Sequence, residues 1–565
     1  MIFSPQVREE GRNLRPAFFF LSTTVLAVIV GLPVLAIVAF AVFPDLNALS
    51  FAAPFSALAP SLRDARLTGA IARSLELSSA VTAVCVVIAL PLAYLRVRIT
   101  PRWGRVWDGC FLVPFLIPPY IGSLAWMQLL QRNGFMQQVS GLNLDGMLYS
   151  FWGMVLVMAL HLFALIYFAA AKSFALIGRR YGDAAKVFGA RALSLFWRIH
   201  LPMTVPAVLS SALIVFVLTI EEFGTPAILG NRFGYEVIVT LIHEKFTDWP
   251  IDLSGASVLS MILIAIAFVA YQGNRALSKK FESRVENQIL TAPGDDRSRR
   301  FQVLVNMLFA GVFFLAVALP VATVTIMALM NTVSGGVTWS NLSLAHLVGL
   351  FEGGSAAWRA ILTSVTLAIS AAVLTVLIGL LVAFSTVRMR FRGSAALDFL
   401  SILPSSIPGM AVAVGLILTW NLPFWPVTPY NTPVVLLLAY LCLMLPYPIR
   451  LLTGALRQLP RSLDDAAYVS GASEFTLVVR VLSPLLGPVA LAAGLIVFAI
   501  STRELVSSIM LAPPGVETVA TYVFNQFNQG SIGSGMAMSL VAIVFSGAII
   551  ALGQGLYGGR QGGPG

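Results

Sequence analysis

Two stretches of the chain carry the same polar pattern at the same spacing. Asp183-Ala184-Ala185 is followed by Gly189, then by Ile199-His200-Leu201-Pro202, with Pro206 beyond. Asp465-Ala466-Ala467 is followed by Gly471, then by Val481-Leu482-Ser483-Pro484, with Pro488 beyond, each 282 positions further on. The chemistry open to this pattern is mechanical. An Asp caps or charges a helix N-terminus. Two alanines keep one helix face slim. A glycine permits a sharp break between short helices, and a proline opens the next element. The product is a rigid elbow. A second pair of stretches carries charge: Glu221-Glu222-Phe223-Gly224 and, at the same offset, Arg503-Glu504-Leu505. Glu222 thus aligns with Glu504, and Glu221 with Arg503. Charges beside apolar runs are costly and point to function by default. Two readings stand. The four residues face each other across a pseudo-two-fold as part of an outer gate, with Glu221 and Arg503 paired; or they are helix-end charges touching water or headgroups.

Other chemistry is missing from the sequence. No Gly-x-x-x-x-Gly-Lys-Ser/Thr phosphate loop occurs, so the chain lacks that route to ATP hydrolysis. No cluster of His, Cys, Asp or Glu has metal-site spacing, and His161 reads as a core histidine. A metal-ion substrate would be passed on without tight coordination. Cys85, Cys110 and Cys442 lie in apolar runs and read as small buried hydrophobes. No nucleophile, base and orienting group cluster recognisably, which leaves a membrane enzyme the weakest class.

The elements that must position these residues follow from composition. Of the 565 residues 58% are hydrophobic and only 11% charged, with a mean hydropathy of +0.87. Soluble chains carry about 25% charged residues, so soluble, disordered and fibrous classes are excluded. A span needs about 20 mainly apolar residues. Such runs fall at about 17–43, 70–95, 107–130, 150–171, 203–223 and 255–273, and again at about 304–330, 360–386, 398–420, 433–453, 485–508 and 533–556. The first run is too long for a signal-peptide core of about 7–15 residues and reads as a retained span. The fold class is therefore an all-α membrane protein of about twelve transmembrane helices. Residues 1–273 form one half, 274–301 a polar linker on the cytoplasmic side, and 302–565 the second half. Pro114, Pro118 and Pro119, with Pro404 and Pro408 in the second half, kink the third span of each half, either shaping a cavity or adjusting packing.

The halves repeat. Ala70-Ile71-Ala72-Arg73-Ser74-Leu75 resembles Ala360-Ile361-Leu362-Thr363-Ser364-Val365, and Pro114 and Pro118 recur as Pro404 and Pro408, all at an offset of 290. Six spans per half give both copies one orientation, a parallel duplication. With the N-terminus inside, 28 of the 36 Lys and Arg fall on inside segments and six on outside loops; Arg73 and Arg503 lie in spans. This asymmetry favours twelve crossings with both termini in the cytoplasm. It also accounts for the net charge of +11 without nucleic acid.

The duplicated loop resembles the EAA motif of binding-protein-dependent ABC transporter permeases: Glu-Ala-Ala, three residues, Gly, nine residues, Ile-x-Leu-Pro. Both copies have Asp for Glu, and the second has Val for Ile and Ser for Leu. The resemblance covers nearly the whole chain. It implies two tandem six-helix halves of the type I ABC importer permease kind in a bacterial inner membrane. It implies that the elbows are coupling helices seated in grooves of two separate ATP-binding cassette subunits, which bind ATP and Mg, so that this chain is no enzyme and holds no cofactor. Arg179, Arg180, Lys186, Arg191 and Arg198 could pair with those subunits. It further implies a periplasmic substrate-binding protein and alternating access. Within the family, the length, Glu222-Phe223-Gly224-Thr225-Pro226-Ala227-Ile228-Leu229-Gly230, and Arg503-Glu504-Leu505 followed by Leu511-Ala512-Pro513-Pro514-Gly515-Val516-Glu517-Thr518 resemble the ferric-iron and thiamine branch. Ferric iron is the expected cargo. Thiamine, a polyamine or a phosphonate carried by the same machine is the alternative, and a secondary transporter with twelve spans in two halves is the rival from another class.

Overall fold

The computed structural model describes residues 5–99, 103–177, 185, 187–189, 191–285, 299–389, 394–423 and 425–558. In lipid every backbone N–H and C=O must be satisfied within the protein, and helices do this locally. Among the described residues nine helices are long and apolar enough to cross a membrane, and three bent pairs bring the number to twelve. No strand occurs among them beyond the isolated bridge Met330–Leu342. In the first half the spans are Pro16–Val42, Ala65–Arg98, Gly104–Pro114 with Pro119–Ser140, Phe151–Leu176, Phe196–Ile220 and Leu253–Ser278. In the second they are Arg300–Leu329, Ala356–Val387, Ala396–Ser406 with Gly409–Trp420, Pro433–Met444 with Pro446–Gln458, Glu474–Ser501 and Ile532–Ile549.

Proline placement explains the irregularities. A proline inside a helix removes one i→i−4 bond. Four π-helical turns, Ala27–Gly31, Phe196–His200, Phe314–Ala318 and Leu477–Leu482, each end just before a Leu-Pro or Ser-Pro pair. The widened turn absorbs the missing donor, and it does so at corresponding places in both halves. The third spans do more than kink. They break by 91° before Pro119 and by 115° before Gly409, and Pro114, Pro119 and Pro404 line the central cavity. The prolines therefore shape the cavity.

The halves interlock through their first spans. Leu32–Val42 packs against Gly409–Trp420 of the other half, and Leu319–Leu329 packs against Pro119–Leu130. The first approach is so close that a Cβ on Gly415 would lie 2.6 Å from the Pro33 carbonyl oxygen. The Leu253–Val285 helix continues well into the stretch read as linker from Asn274, because Ala276, Leu277, Lys279, Lys280 and Glu282 are good helix formers. Residues 286–298 of that linker lie outside the described residues.

The segments between the fifth and sixth spans differ from the simple outer loops expected. Gly224–Ile228 and Ile238–Thr247 in the first half, and Val506–Leu511 and Val519–Asn528 in the second, are short helices folded back into the bundle. Ile238, Val239, Ile242, Ala520 and Val523 are fully buried. Each returning helix is pinned the same way. The Ser74 hydroxyl accepts from the Ile238 N–H at 2.8 Å, and the Ser364 hydroxyl from the Val519 N–H at 2.7 Å.

Candidate functional site: a mid-membrane cavity and two elbows

The fifth span of each half stops where its apolar run meets charge, at Ile220 and Ser501. The chain then turns into the short re-entrant helix, and the aligned glutamates hold that turn. Glu222 Oε1 accepts from the Gly224 N–H at 2.9 Å and the Thr225 N–H at 3.2 Å. Glu504 Oε1 accepts from the Ser507 N–H at 2.8 Å and the Ser507 hydroxyl at 3.1 Å. Both carboxylates thus satisfy orphan donors at a helix start. Behind them the Ser123 and Thr225 hydroxyls meet at 2.7 Å, and those of Tyr440 and Ser508 at 2.8 Å. Gly224 is required there, since a Cβ would sit 2.5 Å from Tyr120 Cβ.

Glu221, Glu222, Arg503 and Glu504 all line one cavity of about 470 Å³. His161, near the middle of Phe151–Leu176, lines it too. The four charges are therefore level with the middle of the bundle, deeper than the outer end expected from the sequence. The charged neighbours of Glu221 are Glu504 and Glu222, while Arg503 faces Glu504 and Tyr447.

Aromatic rings of the two halves meet beside the cavity. Phe223 is buried and stacks across the halves on Phe524, with ring centroids 6.2 Å apart, and on His243 at 5.0 Å. On the cavity wall Tyr447 is 42% exposed. There Arg450 of the second half donates to the Tyr271 hydroxyl of the first, lies 5.4 Å over its ring, and donates to Ser405 Oγ at 3.0 Å. Tyr271, Tyr447 and Arg450 line the cavity, while the Phe223–Phe524 contact lies beside its lining. Among the described residues no three His, Cys, Asp or Glu side chains converge as a metal site.

The second elbow is fully described. Helix Ser462–Val469 ends at Gly471, whose φ of +81° places it in the left-handed region. The Gly471 N–H donates to the Tyr468 carbonyl and the Ala472 N–H to the Ala467 carbonyl, both at 3.0 Å, closing a glycine-ended helix. Ser473 then caps the next short helix through the Thr476 N–H at 3.2 Å. Asp465 and Ala466 are exposed and Ala467 half-buried. Val481 and Pro484 begin the return into the membrane on the π turn and the following helix. Sequence reasoning singled out Asp465 and missed its neighbour. Asp464 is buried and pairs with Arg388 Nε at 2.9 Å, tying the elbow to the end of the second span. Arg388 also donates to the Leu459 carbonyl at 3.1 Å. The helix periodicity of Asp464, Ala467 and Tyr468 could have shown an inward face.

In the first elbow Asp183 and Ala184 lie outside the described residues, as do Arg179, Arg180 and Lys186. Ala185 is helical and Gly189 has a φ of +78°, matching Gly471. Val187 and Phe188 stand out at 84% and 89% exposed. Ile199 and Leu201 are half-buried, Pro202 is exposed, and His200 is buried against Arg98. Arg98 aligns with Arg388 at the offset of 290, so both elbows are held by the same arginine position. The exposed apolar tips face away from the bundle.

A family model described as the binding-protein-dependent transport system inner membrane component matches residues 85–283 and again 375–558. The chain belongs to that family. It is therefore a multi-span inner-membrane subunit of an ABC importer and not itself an enzyme, which sets aside the secondary transporter and the membrane enzyme. The family works with a substrate-binding protein and an ATPase. Among relatives, the ferric transport system permease protein FbpB of Actinobacillus pleuropneumoniae is 29% identical over 85% of this chain and 70% of its own length. The Fe(3+)-transport system permease protein FbpB 2 of Haemophilus influenzae is 23% identical over 78% of this chain and 80% of its own. The molybdenum transport system permease protein ModB of Mycobacterium bovis is 28% identical over 36% of this chain and 77% of its own.

Proposed function

We propose that this chain forms the whole translocation pore of an ATP-driven importer of ferric iron. The carrying observation is the extent of likeness: the two ferric-transport relatives align with 85% and 78% of the chain, whereas the molybdenum relative aligns with 36% of it. The cavity supports a cationic cargo, because Glu221, Glu222 and Glu504 outnumber Arg503 and Arg450 on its wall.

In this reading each elbow seats one ATP-binding cassette subunit, two in all, and ATP and Mg belong to those subunits. Residues 1–273 and 302–565 act as the two halves, joined by 274–301, with both termini and both elbows in the cytoplasm. The cavity described above then opens inward, and Phe223 with Phe524 closes the periplasmic side. Closure of the ATPases draws the elbows together and reverses these openings. Glu221, Glu222, Arg503 and Glu504 lie on the path between them.

The test is the stimulation of ATPase activity in the reconstituted complex by its binding protein. The protein loaded with ferric iron is expected to stimulate, and the empty protein is not. Stimulation by a thiamine-, polyamine- or phosphonate-loaded binding protein, with none by the iron form, overturns the cargo.

A further inference from the structure

The cavity contains polar groups that the fold leaves unused. Glu222 and Glu504 each spend Oε1 on a helix start, and no hydrogen bond to Oε2 occurs among the described residues. The Glu221 carboxylate has no hydrogen bond or ion pair among the described residues, although it lines the same wall. Tyr120 is only 2% exposed, and its hydroxyl has no partner among the described residues. That hydroxyl lies among Glu504 and Tyr440 on the cavity side of the broken third span. A buried hydroxyl without a partner is costly, and a carboxylate at mid-membrane depth is costlier still. Folding gains nothing from keeping them so. Glu222 and Glu504 explain their presence by capping; Glu221 and Tyr120 do not.

We infer that Glu221, the Oε2 oxygens of Glu222 and Glu504, and the Tyr120 hydroxyl form a passing site for a hard, oxygen-seeking trivalent cation. This rests on the reading that the cargo is a cation. All four donors are oxygens, the set that hard cations take. The carboxylates come from both halves, so movement of one half against the other changes their spacing. Their failure to converge into a closed set suits conduction, because a conducted ion must be held well enough to enter and weakly enough to leave. The ion keeps part of its water shell, and Arg503 limits the net charge that it meets.

The probe is Tb³⁺, a hard trivalent ion whose luminescence is sensitised by nearby tyrosine, titrated into the full-length chain purified in detergent. Wild type is expected to bind one saturable Tb³⁺ that Fe³⁺ displaces and spermidine or thiamine does not. Glu221→Gln, which breaks no cap, is expected to weaken this binding about tenfold, the low end for lost metal-site partners. Tyr120→Phe is expected to lower the sensitised emission as well. Glu352→Gln, an exposed carboxylate remote from the cavity, should change nothing. Unaltered Tb³⁺ affinity in Glu221→Gln and in the Glu221→Gln, Glu222→Gln, Glu504→Gln triple variant overturns the site, whatever the cargo. Tb³⁺ bound at these residues in a transporter that does not import iron keeps the site and removes the iron reading.

Discussion

Replacing Asp464 with Asn isolates the joint between the second elbow and the membrane helices. Arg388 Nε and Asp464 Oδ2 lie 2.9 Å apart, with the side chains only 7% and 12% exposed. At an effective dielectric of about 20 the attraction at that separation is about 6 kcal/mol before desolvation is subtracted. Removing one partner of a buried pair costs about 3–5 kcal/mol, because the remaining charge is stranded. Arg388 then keeps its bond to the neutral Leu459 carbonyl, which does not balance its charge. Asp464→Asn is therefore expected to lower the thermal midpoint of the detergent-purified chain clearly and to uncouple ATP hydrolysis from transport in the reconstituted complex. Asp465→Asn, one residue along but exposed, is expected to leave the stability within about 0.5 kcal/mol of wild type, as for ordinary surface substitutions. The double variant Arg388→Met, Asp464→Leu removes both charges and is expected to regain the midpoint. Equal midpoints for Asp464→Asn and Asp465→Asn would refute the reasoning, as would a double variant no more stable than Asp464→Asn alone.

Three further expectations follow from the same geometry. Glu222→Gln and Glu504→Gln keep an oxygen acceptor at the re-entrant helix start, so they should slow uptake while melting like wild type; Glu222→Ala should cost about 1 kcal/mol in unfolding titrations, the usual loss for a cap. Gly471→Ala meets open space but is held at φ +81°, so it should cost about 1–2 kcal/mol through backbone strain alone, and wild-type stability would deny that the turn is needed. On the opposite face Arg66 bonds to Glu236 at 2.6 and 2.9 Å and holds the Glu236 carboxyl below the usual carboxylate range. A depressed folded pKa gives stability that is present above the unfolded value of about 4.3 and is lost as pH falls through the folded value. The pair is half exposed and worth up to about 1 kcal/mol. Melting of Arg66→Ala should therefore trail wild type slightly at pH 7, and the gap should narrow as pH falls below the unfolded value of about 4.3; a gap that does not change as the carboxylate is protonated would contradict the assignment.

The sequence announced the parts that lipid and duplication force into the open. Twelve apolar runs were legible because each helix must cross about 30 Å of hydrocarbon. The elbows were legible because Asp183 and Asp465, Gly189 and Gly471, and Pro202 and Pro484 recur at one offset. The re-entrant helices were not. At ten residues, Ile238–Thr247 and Val519–Asn528 are too short to register as spans, and their burial depends on Ser74 and Ser364 far away in the chain. For the same reason Glu221 and Arg503 read as lying at an outer end: the depth of a residue after a helix end is set by what the chain does next. Asp464 was hidden for a different reason. Two adjacent aspartates look alike in sequence, and only the helix phase sends one to Arg388 and the other to solvent.

Iron uptake into proteoliposomes bears most directly on the proposed transport. Vesicles holding this chain, its ATPase and its binding protein loaded with radiolabelled ferric iron are followed for iron accumulation with and without ATP. Accumulation is expected to require both ATP and the binding protein, with a large loss in Glu221→Gln. Iron uptake that proceeds without ATP, or no iron uptake while another cargo accumulates with ATP, would contradict it.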